Sequence, residues 1–496
     1  GYGMGESGEA QNITHQQKKM GTTSLQAFRD RFHLPLSDEQ IEKLEYIKPA
    51  RDSAEYKYMY ERRMALGGYM PARRQQAASR EVPALSAFEA LLKASAEGRE
   101  FSTTMAFVRL LGILLKDKNI GKHVVPIVAD ESRTFGMEGL FRQIGIWSSV
   151  GQLYTPQDRD QLMFYKEDKN GQILQEGINE AGAMCSWIAA ATAYSTHDVP
   201  MIPFFIYYSM FGLQRTGDLW WAAGDSRARG FLLGGTAGRT TLNGEGLQHE
   251  DGHSHLWSAQ IPNCISYDPT FAYELAVILH DGLRRMYAEQ EDVYYYLTVM
   301  NENYAHPAMP EGAETGILKG MYLFRQGGTG KGPRVQLLGS GAILNEVIAA
   351  ADLLKKDWGI EADIWSCPSF TQLARDGVAT ARWNLLHPTA EPRKPYVQQC
   401  LENTEGPVIA STDYVRAFAE QIRPYVPGRY QVLGTDGFGR SDTREKLRHF
   451  FEVDRYWVTT ASLAALAEEE KLDPAKVAEA VRKYGIDPEK PNPLTV

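Results

Sequence analysis

Cysteine is scarce in this chain, with four in 496 residues, at positions 185, 264, 367 and 400. They are too widely spaced for a metal knuckle or a disulfide framework. That points to a reducing compartment and a cytoplasmic location. Long apolar runs are also missing. The most apolar stretch, MIPFFIYYSMF from Met201 to Phe211, falls well short of the roughly 20 residues a membrane span requires. An excess of positive charge is lacking too: the formal net charge is −9, which argues against a nucleic-acid partner and against attraction to an anionic membrane. No signal-peptide pattern is recognised. The Walker phosphate-binding pattern is absent, and the six-residue glycine fingerprint of dinucleotide sites is incomplete at Gly339-Ser340-Gly341, because Leu344 stands where the third glycine belongs. A tight strand-to-helix turn is therefore the preferred reading of that triplet over a phosphate cradle.

What is present is enough apolar material, 43% of residues, to bury several cores, and a length that suggests two to four domains. The chain begins GYGMGESGEAQ, a glycine-rich loop without a preceding element, so it reads as part of a longer polypeptide. Residues 1–80 look like a tail, with Ser37 and Gln40 placed as a capping box and a polar, Pro-bearing linker at the end. Residues 81–309 alternate strand and helix. HVVPIVAD, VPMIPFFIYYS, NCISYDP and DVYYYLTVM read as buried parallel strands, and Asp268-Pro269 reads as the N-cap and first residue of the helix that follows. Residues 310–496 repeat the rhythm, with a near-complete βαβ unit from Arg334 to Ser366. The expected fold is α/β, two parallel-sheet domains preceded by the tail of a third.

Three groups of residues carry possible chemistry. NGEGLQHEDGHSHLW, Asn243–Trp257, holds three histidines, several carboxylates and many glycines. His249 and His253 are spaced as on a zinc helix, but the glycines oppose a helix. A loop whose imidazoles hydrogen-bond a carboxylate ligand or move protons is favoured over a metal site, with a hydrated turn as the bland alternative. Glu180 sits among small and apolar neighbours, either as a helix-start glutamate facing the dipole or as a partly buried carboxyl able to share a proton with a ring nitrogen. Tyr207, Tyr208 and Phe211 read as the end of a buried strand. They suit the core, or a flat heterocycle stacked at the carboxyl end of a parallel sheet. His15, with Glu6, Glu9, Lys18 and Lys19 around it, reads on residue physics alone as a mobile charged loop.

Longer segments point further. ADESRTFGMEGLFRQIGIW, YKEDKNGQILQEGINEAGA, IPFFIYYSMFGLQR, GGTAGRTTLNGEGLQHEDGHSH, PNCISYDP and LGTDGFGRSDTREKLRHFFEVD resemble the decarboxylating first component of the bacterial pyruvate dehydrogenase complex, of the homodimeric single-chain type. The resemblance runs along the whole chain. It implies a thiamine-diphosphate enzyme of the transketolase superfamily that acts on pyruvate and acetylates the lipoyl group of the dihydrolipoyl acetyltransferase component. By the same resemblance Glu180 meets the aminopyrimidine, Phe211 stacks on it, and Ile178 borders the cofactor. Asp130 and Glu131 lie beside the active centre, Tyr208 lies near the reacting carbon, and His249 contacts the substrate-derived adduct. His15, on a mobile loop, serves acetyl transfer to the lipoyl arm, and residues 151–166 form a second closing loop. The family's Gly-Asp-Gly motif for diphosphate and Mg2+ is missing, so the metal ligands are expected in an N-terminal part outside this chain. Alternatives are a transketolase, a 2-oxoglutarate counterpart, a zinc hydrolase, or an α/β nucleotide-binding or scaffold protein.

Overall fold

A computed structural model describes residues 5–69, 74–129, 132–157, 159, 165–330 and 332–496. The chain forms two compact units, Gly1–Ala72 and Arg73–Val496. The smaller is built from the helices Thr22–Arg31, Asp38–Glu42 and Ala54–Ala65. The capping box is present as read: Gln40 N–H donates to Ser37 Oγ at 3.2 Å, and Ser37 N–H donates to Gln40 Oε1 at 3.0 Å.

The larger unit holds two main sheets. The first comprises β1 (Val124–Val128), β2 (Leu174–Gln175), β3 (Ile202–Tyr208), β4 (Phe231–Gly235), β5 (Cys264–Tyr267) and β6 (Tyr294–Thr298), in the order β2-β1-β3-β4-β6-β5. Every pairing in it is parallel. In β3 the first six residues of IPFFIYY are buried, as a strand covered on both faces requires. The helices carry matching apolar faces. Thr103–Lys116, capped by Ser102, buries Phe107, Leu110, Leu111 and Leu114. Glu180–Ala191 buries Ala183, Met184, Trp187 and Ala191. Its indole N–H at Trp187 donates to Phe231 O at 3.0 Å, so the buried donor is satisfied.

The second sheet comprises β7 (Tyr322–Arg325), β8 (Arg334–Gly339), β9 (Glu361–Ser366), β10 (Val408–Ser411) and β11 (Tyr430–Leu433), in the order β11-β10-β8-β9-β7. Four strands are parallel, as expected. The edge strand β7, unread in the sequence, runs antiparallel to β9, a common finish to a parallel sheet.

Two local expectations are corrected. Asp268 is not an N-cap: the helix starts at Ala272, whose N–H donates to His306 Nδ1 at 3.1 Å, and Glu274 in the first turn accepts from the preceding Thr270 N–H at 2.5 Å and Phe271 N–H at 3.1 Å. Asp268 is drawn away to hydroxyls, accepting from Thr298 Oγ at 2.7 Å and Ser340 Oγ at 2.8 Å. Phe211 does not end a strand. It lies in the first turn of the helix Ser209–Asp225 that follows β3. The Gly339-Ser340-Gly341 segment forms a tight turn, and Gly341 suits it because φ is +52° and a Cβ there would lie 2.6 Å from Asp268 Oδ2.

Candidate active site

In the first sheet, the chain leaves β1 toward β2 on one side and returns to β3 on the other. Strands β1 and β3 stay paired to the end of β1, but the chain leaves β1 toward β2 and leaves β3 toward β4, in opposite directions, and such a reversal opens a crevice for ligands at the carboxyl ends of parallel sheets. A cavity of about 730 Å³ lies at this point, lined by Ala129 after β1, by Tyr207 and Tyr208 at the end of β3, and by Glu180, Phe211, Arg215, Glu245, Gln248 and His249 among others.

Each side chain arrives by a local cause. Glu180 is the first residue of its helix. The preceding Asn179 caps that helix by accepting from Gly182 N–H at 3.0 Å. This leaves the carboxylate pointing into the crevice at the positive helix end, with the residue only 9% exposed. Tyr207 and Tyr208 face opposite sides of β3. Tyr207 is in the core, packed on Trp220 at 6.1 Å between centroids, whereas Tyr208 meets Phe135 at 5.5 Å, His249 at 5.0 Å and Phe211 at 6.2 Å. Phe211 and His249 are edge to face at 5.0 Å. Gly212 allows this helix to start close to the strand, since a Cβ would lie 2.0 Å from the Tyr207 ring. The helix kinks at Thr216, whose backbone is non-helical and whose hydroxyl donates to Gly212 O at 2.6 Å.

Arg215 went unnoticed in the sequence. Its Nη1 donates to Glu180 Oε1 at 2.7 Å, and its guanidinium carbon lies 4.1 Å from the Phe211 ring centroid. The available signal was its place four residues after Phe211, on the same helical face.

The histidine-rich segment is a loop with a short 3-10 turn, Leu247–His249, and a helix, Ser254–Ala259. Its three imidazoles diverge. His249 enters the cavity, with a Glu245 carboxylate oxygen 3.5 Å from Nδ1 but outside hydrogen-bond geometry. His253 lies 3.4 Å from Gln214 Nε2 and packs on Trp257. His255 is fully buried, 3.0 Å from Thr298 Oγ and stacked on Phe418. Burial depresses the affinity of both His253 and His255 for a proton below the ordinary imidazole value. Among the described residues no group of three or more His, Cys, Asp or Glu could hold a metal ion. The backbone here is mostly loop, as the glycines suggested, with His249 in the 3-10 turn and His253 just before the helix.

Contacts with the second sheet's loops fix this segment. Val415 N–H donates to Gly252 O at 2.8 Å, Arg440 N–H to Glu250 Oε2 at 2.6 Å, and Ser441 Oγ to Glu245 O at 2.5 Å. Burial pushes the Glu250 carboxyl up to about 8.

The remaining candidates lie elsewhere. Ile178 stands 75% exposed on the cavity rim. Asp130 and Glu131 fall outside the described residues, as does part of the 151–166 loop. His15 is exposed in the 3-10 turn Asn12–Gln16 of the smaller unit.

Residues 81–307 match the middle domain of the pyruvate dehydrogenase E1 component, and residues 320–454 match the transketolase-like C-terminal domain. Over its whole length the chain is 71% identical to a pyruvate dehydrogenase E1 component of Cupriavidus necator and 64% identical to that of Pseudomonas aeruginosa, covering 56% of each. It is 60% identical to the Escherichia coli protein, with 99% of the chain matched to 55% of that relative. The chain therefore spans about half the length of these curated relatives. Among solved structures, transketolase from Campylobacter jejuni superposes with a TM-score of 0.60 at 16% identity, over 93% of this chain and 61% of that one. Transketolase from Leishmania mexicana gives 0.56 at 17% identity, over 91% and 55%. At such identities these two support the fold alone.

Proposed function

This chain belongs with the bacterial pyruvate dehydrogenase E1 components, matching the C-terminal part of that family, and on that premise we propose that it carries the ring-binding half of a thiamine-diphosphate site for decarboxylating pyruvate and acetylating a lipoyl group. One observation carries the reading: Glu180, Phe211, Tyr208 and His249 converge on a single cavity of about 730 Å³. We divide the chain accordingly into residues 1–80 as the tail of a diphosphate-binding domain, 81–309 as the pyrimidine-binding domain, and 310–496 as the C-terminal domain. The Mg2+ ligands are assigned to another part of the enzyme, because the Gly-Asp-Gly motif expected to hold them is missing from this chain. Of the partners, we propose a second copy of the enzyme and the lipoyl domain and core of the dihydrolipoyl acetyltransferase. The reading needs no nucleic acid or membrane, and no described helix is long and apolar enough to cross a membrane.

The cavity suits a flat aminopyrimidine. A mostly buried carboxylate faces it beside an aromatic ring, and charge-assisted hydrogen bonds there are stronger than in water. When bound, the thiazolium of the cofactor supplies the electron sink that pyruvate's carboxylate loss requires. Glu180 holds a hydrogen bond to the pyrimidine nitrogen and moves a proton there. Phe211 stacks on the ring, a contact worth about 0.5–1.5 kcal/mol beyond burial. His249 donates a hydrogen bond to the substrate carboxylate or the developing alkoxide, and Tyr208 holds the His249 ring by its face. Asp130, Glu131 and Ile178 complete the surroundings in this proposal. His15 supplies a proton to the lipoyl sulfur when the acetyl group is passed on, with Lys18 and Lys19 meeting an acidic lipoyl-domain surface. Glu180→Gln in the assembled enzyme is expected to abolish hydrogen–deuterium exchange at the thiazolium carbon, and normal exchange would refute the role. His15→Ala is expected to spare decarboxylation with an artificial electron acceptor while losing lipoyl acetylation. Equal loss of both removes the transfer assignment.

A further inference from the structure

Glu180 and Phe211 offer the cavity a carboxylate oxygen and an aromatic face, and one side chain engages both. Arg215 Nη1 lies 2.7 Å from Glu180 Oε1, while its guanidinium carbon is 4.1 Å from the Phe211 centroid. The carboxylate is the fixed partner, with its side chain 11% exposed against 49% for Arg215. A guanidinium is planar, carries N–H donors in its plane and stacks on aromatic rings. An aminopyrimidine shares all three attributes.

We propose that Arg215 is a positioning residue that sets the cavity's affinity for a flat, N–H-bearing heterocycle by competing with it for Glu180 and the face of Phe211. This rests on the ring-site reading above. Ring uptake requires the guanidinium to swing toward solvent, which its unbranched and half-exposed side chain permits. The carboxylate keeps a donor at all times: the guanidinium before uptake and the heterocycle after it. The cost of an unpaired, mostly buried carboxylate is thereby avoided in both states. Arginine suits this exchange better than lysine, because an ammonium group pairs with the carboxylate but cannot cover the ring.

Both contacts are partly solvated, so their combined loss corresponds to about a 5- to 20-fold change in affinity. The probe is 4-amino-5-hydroxymethyl-2-methylpyrimidine, titrated by ligand-observed NMR into the assembled enzyme freed of thiamine diphosphate. Arg215→Met is expected to bind it about 5- to 20-fold more tightly than the unsubstituted chain, with Arg215→Lys in between. Added salt, which screens the ion pair, is expected to tighten binding to the unsubstituted chain and leave Arg215→Met unchanged. Glu180→Gln is the control and is expected to bind more weakly. If Arg215→Met binds no more tightly while Glu180→Gln loses binding, the competition is overturned and the ring site stands. If Glu180→Gln binds as well as the unsubstituted chain, or if no variant binds, both are overturned.

Discussion

Asp268→Asn separates the stability of this protein from pH in a calculable way. The Asp268 carboxyl is fully buried, where it accepts from Thr298 Oγ at 2.7 Å and Ser340 Oγ at 2.8 Å, with Tyr414 OH at 3.4 Å. Burial is the main cause that pushes it up to about 7 from an ordinary 3.8, and the buried carboxyls Asp413 and Glu274 add to the rise. At about 1.4 kcal/mol per unit, that difference corresponds to about 4 kcal/mol. The folded state binds the proton more tightly than the unfolded chain does. The stabilisation is therefore present in full below pH 3.8, declines as pH rises, and is gone above about pH 7. Asparagine stays neutral throughout and lacks this slope. Its amide places a donor beside one hydroxyl, which must rotate to accept, so the variant is expected to be about 1 kcal/mol less stable at pH 4. Its stability relative to the unsubstituted chain is then expected to climb by about 4 kcal/mol between pH 4 and pH 7 and level off above. Urea unfolding followed by intrinsic fluorescence at five pH values gives this difference, in which the titration of groups not coupled to Asp268 cancels. A difference that stays flat with pH, or falls, refutes the reasoning.

Two further substitutions test the packing around the cavity. Gly212→Ala inserts a methyl group 2.0 Å from the Tyr207 ring; this overpacking is expected to cost about 1–3 kcal/mol in urea unfolding and to weaken pyrimidine binding by displacing Phe211, and a variant as stable as the unsubstituted chain contradicts the close approach. Arg239→Met deletes a buried guanidinium that donates to Thr435 O at 2.6 Å and to Gly437 O. The expected loss is about 3–5 kcal/mol by the same assay, and a loss below about 1 kcal/mol means that those carbonyls find water instead.

The elements easiest to read were those whose pattern is local. The run IPFFIYY gives β3 because both faces of that strand are covered, and the Ser37 capping box depends on residues three apart. β4 escaped because its apolar run is only three residues long and FLLGG ends in two glycines. Those glycines answer to neighbours far along the chain, since a Cβ at Gly234 would lie 2.5 Å from Tyr296 Oη and one at Gly235 would lie 2.6 Å from the Phe135 ring. Asp268-Pro269 imitates a helix start because capping is written in adjacent residues. Its actual partner, Ser340, is 72 positions away. The candidate site divides in the same way. Glu180 at a helix start follows from Asn179 and the small residues after it. The cavity lies where the connections leaving β1 and β3 run to opposite sides of the sheet, and that depends on sheet order, which no local pattern encodes. Arg215 escapes notice because the segment from Tyr207 to Phe211 reads as the end of a strand, and only its contact with Glu180 distinguishes it.

Among the described residues none beyond His249 lines the cavity, yet contacts from the second sheet's loops hold the segment that carries His249. The segment leaving β4 is held before it reaches His249: Asp413, beyond β10, accepts from Thr240 N–H at 2.8 Å, from Thr240 Oγ at 2.6 Å and from Thr241 Oγ at 2.5 Å, and Arg444 Nε donates to Thr241 O at 2.6 Å. It is held again afterwards through Glu250 and Gly252. A glycine-rich loop is the costliest kind of backbone to order, and if His249 acts as proposed above, its imidazole gains from having that cost met during folding rather than on binding. Burying Asp413, whose carboxyl is pushed up mainly by burial, opposes folding. Its hydroxyl and backbone donors offset part of that cost, and the remainder is what this fold spends to hold His249 in a fixed place.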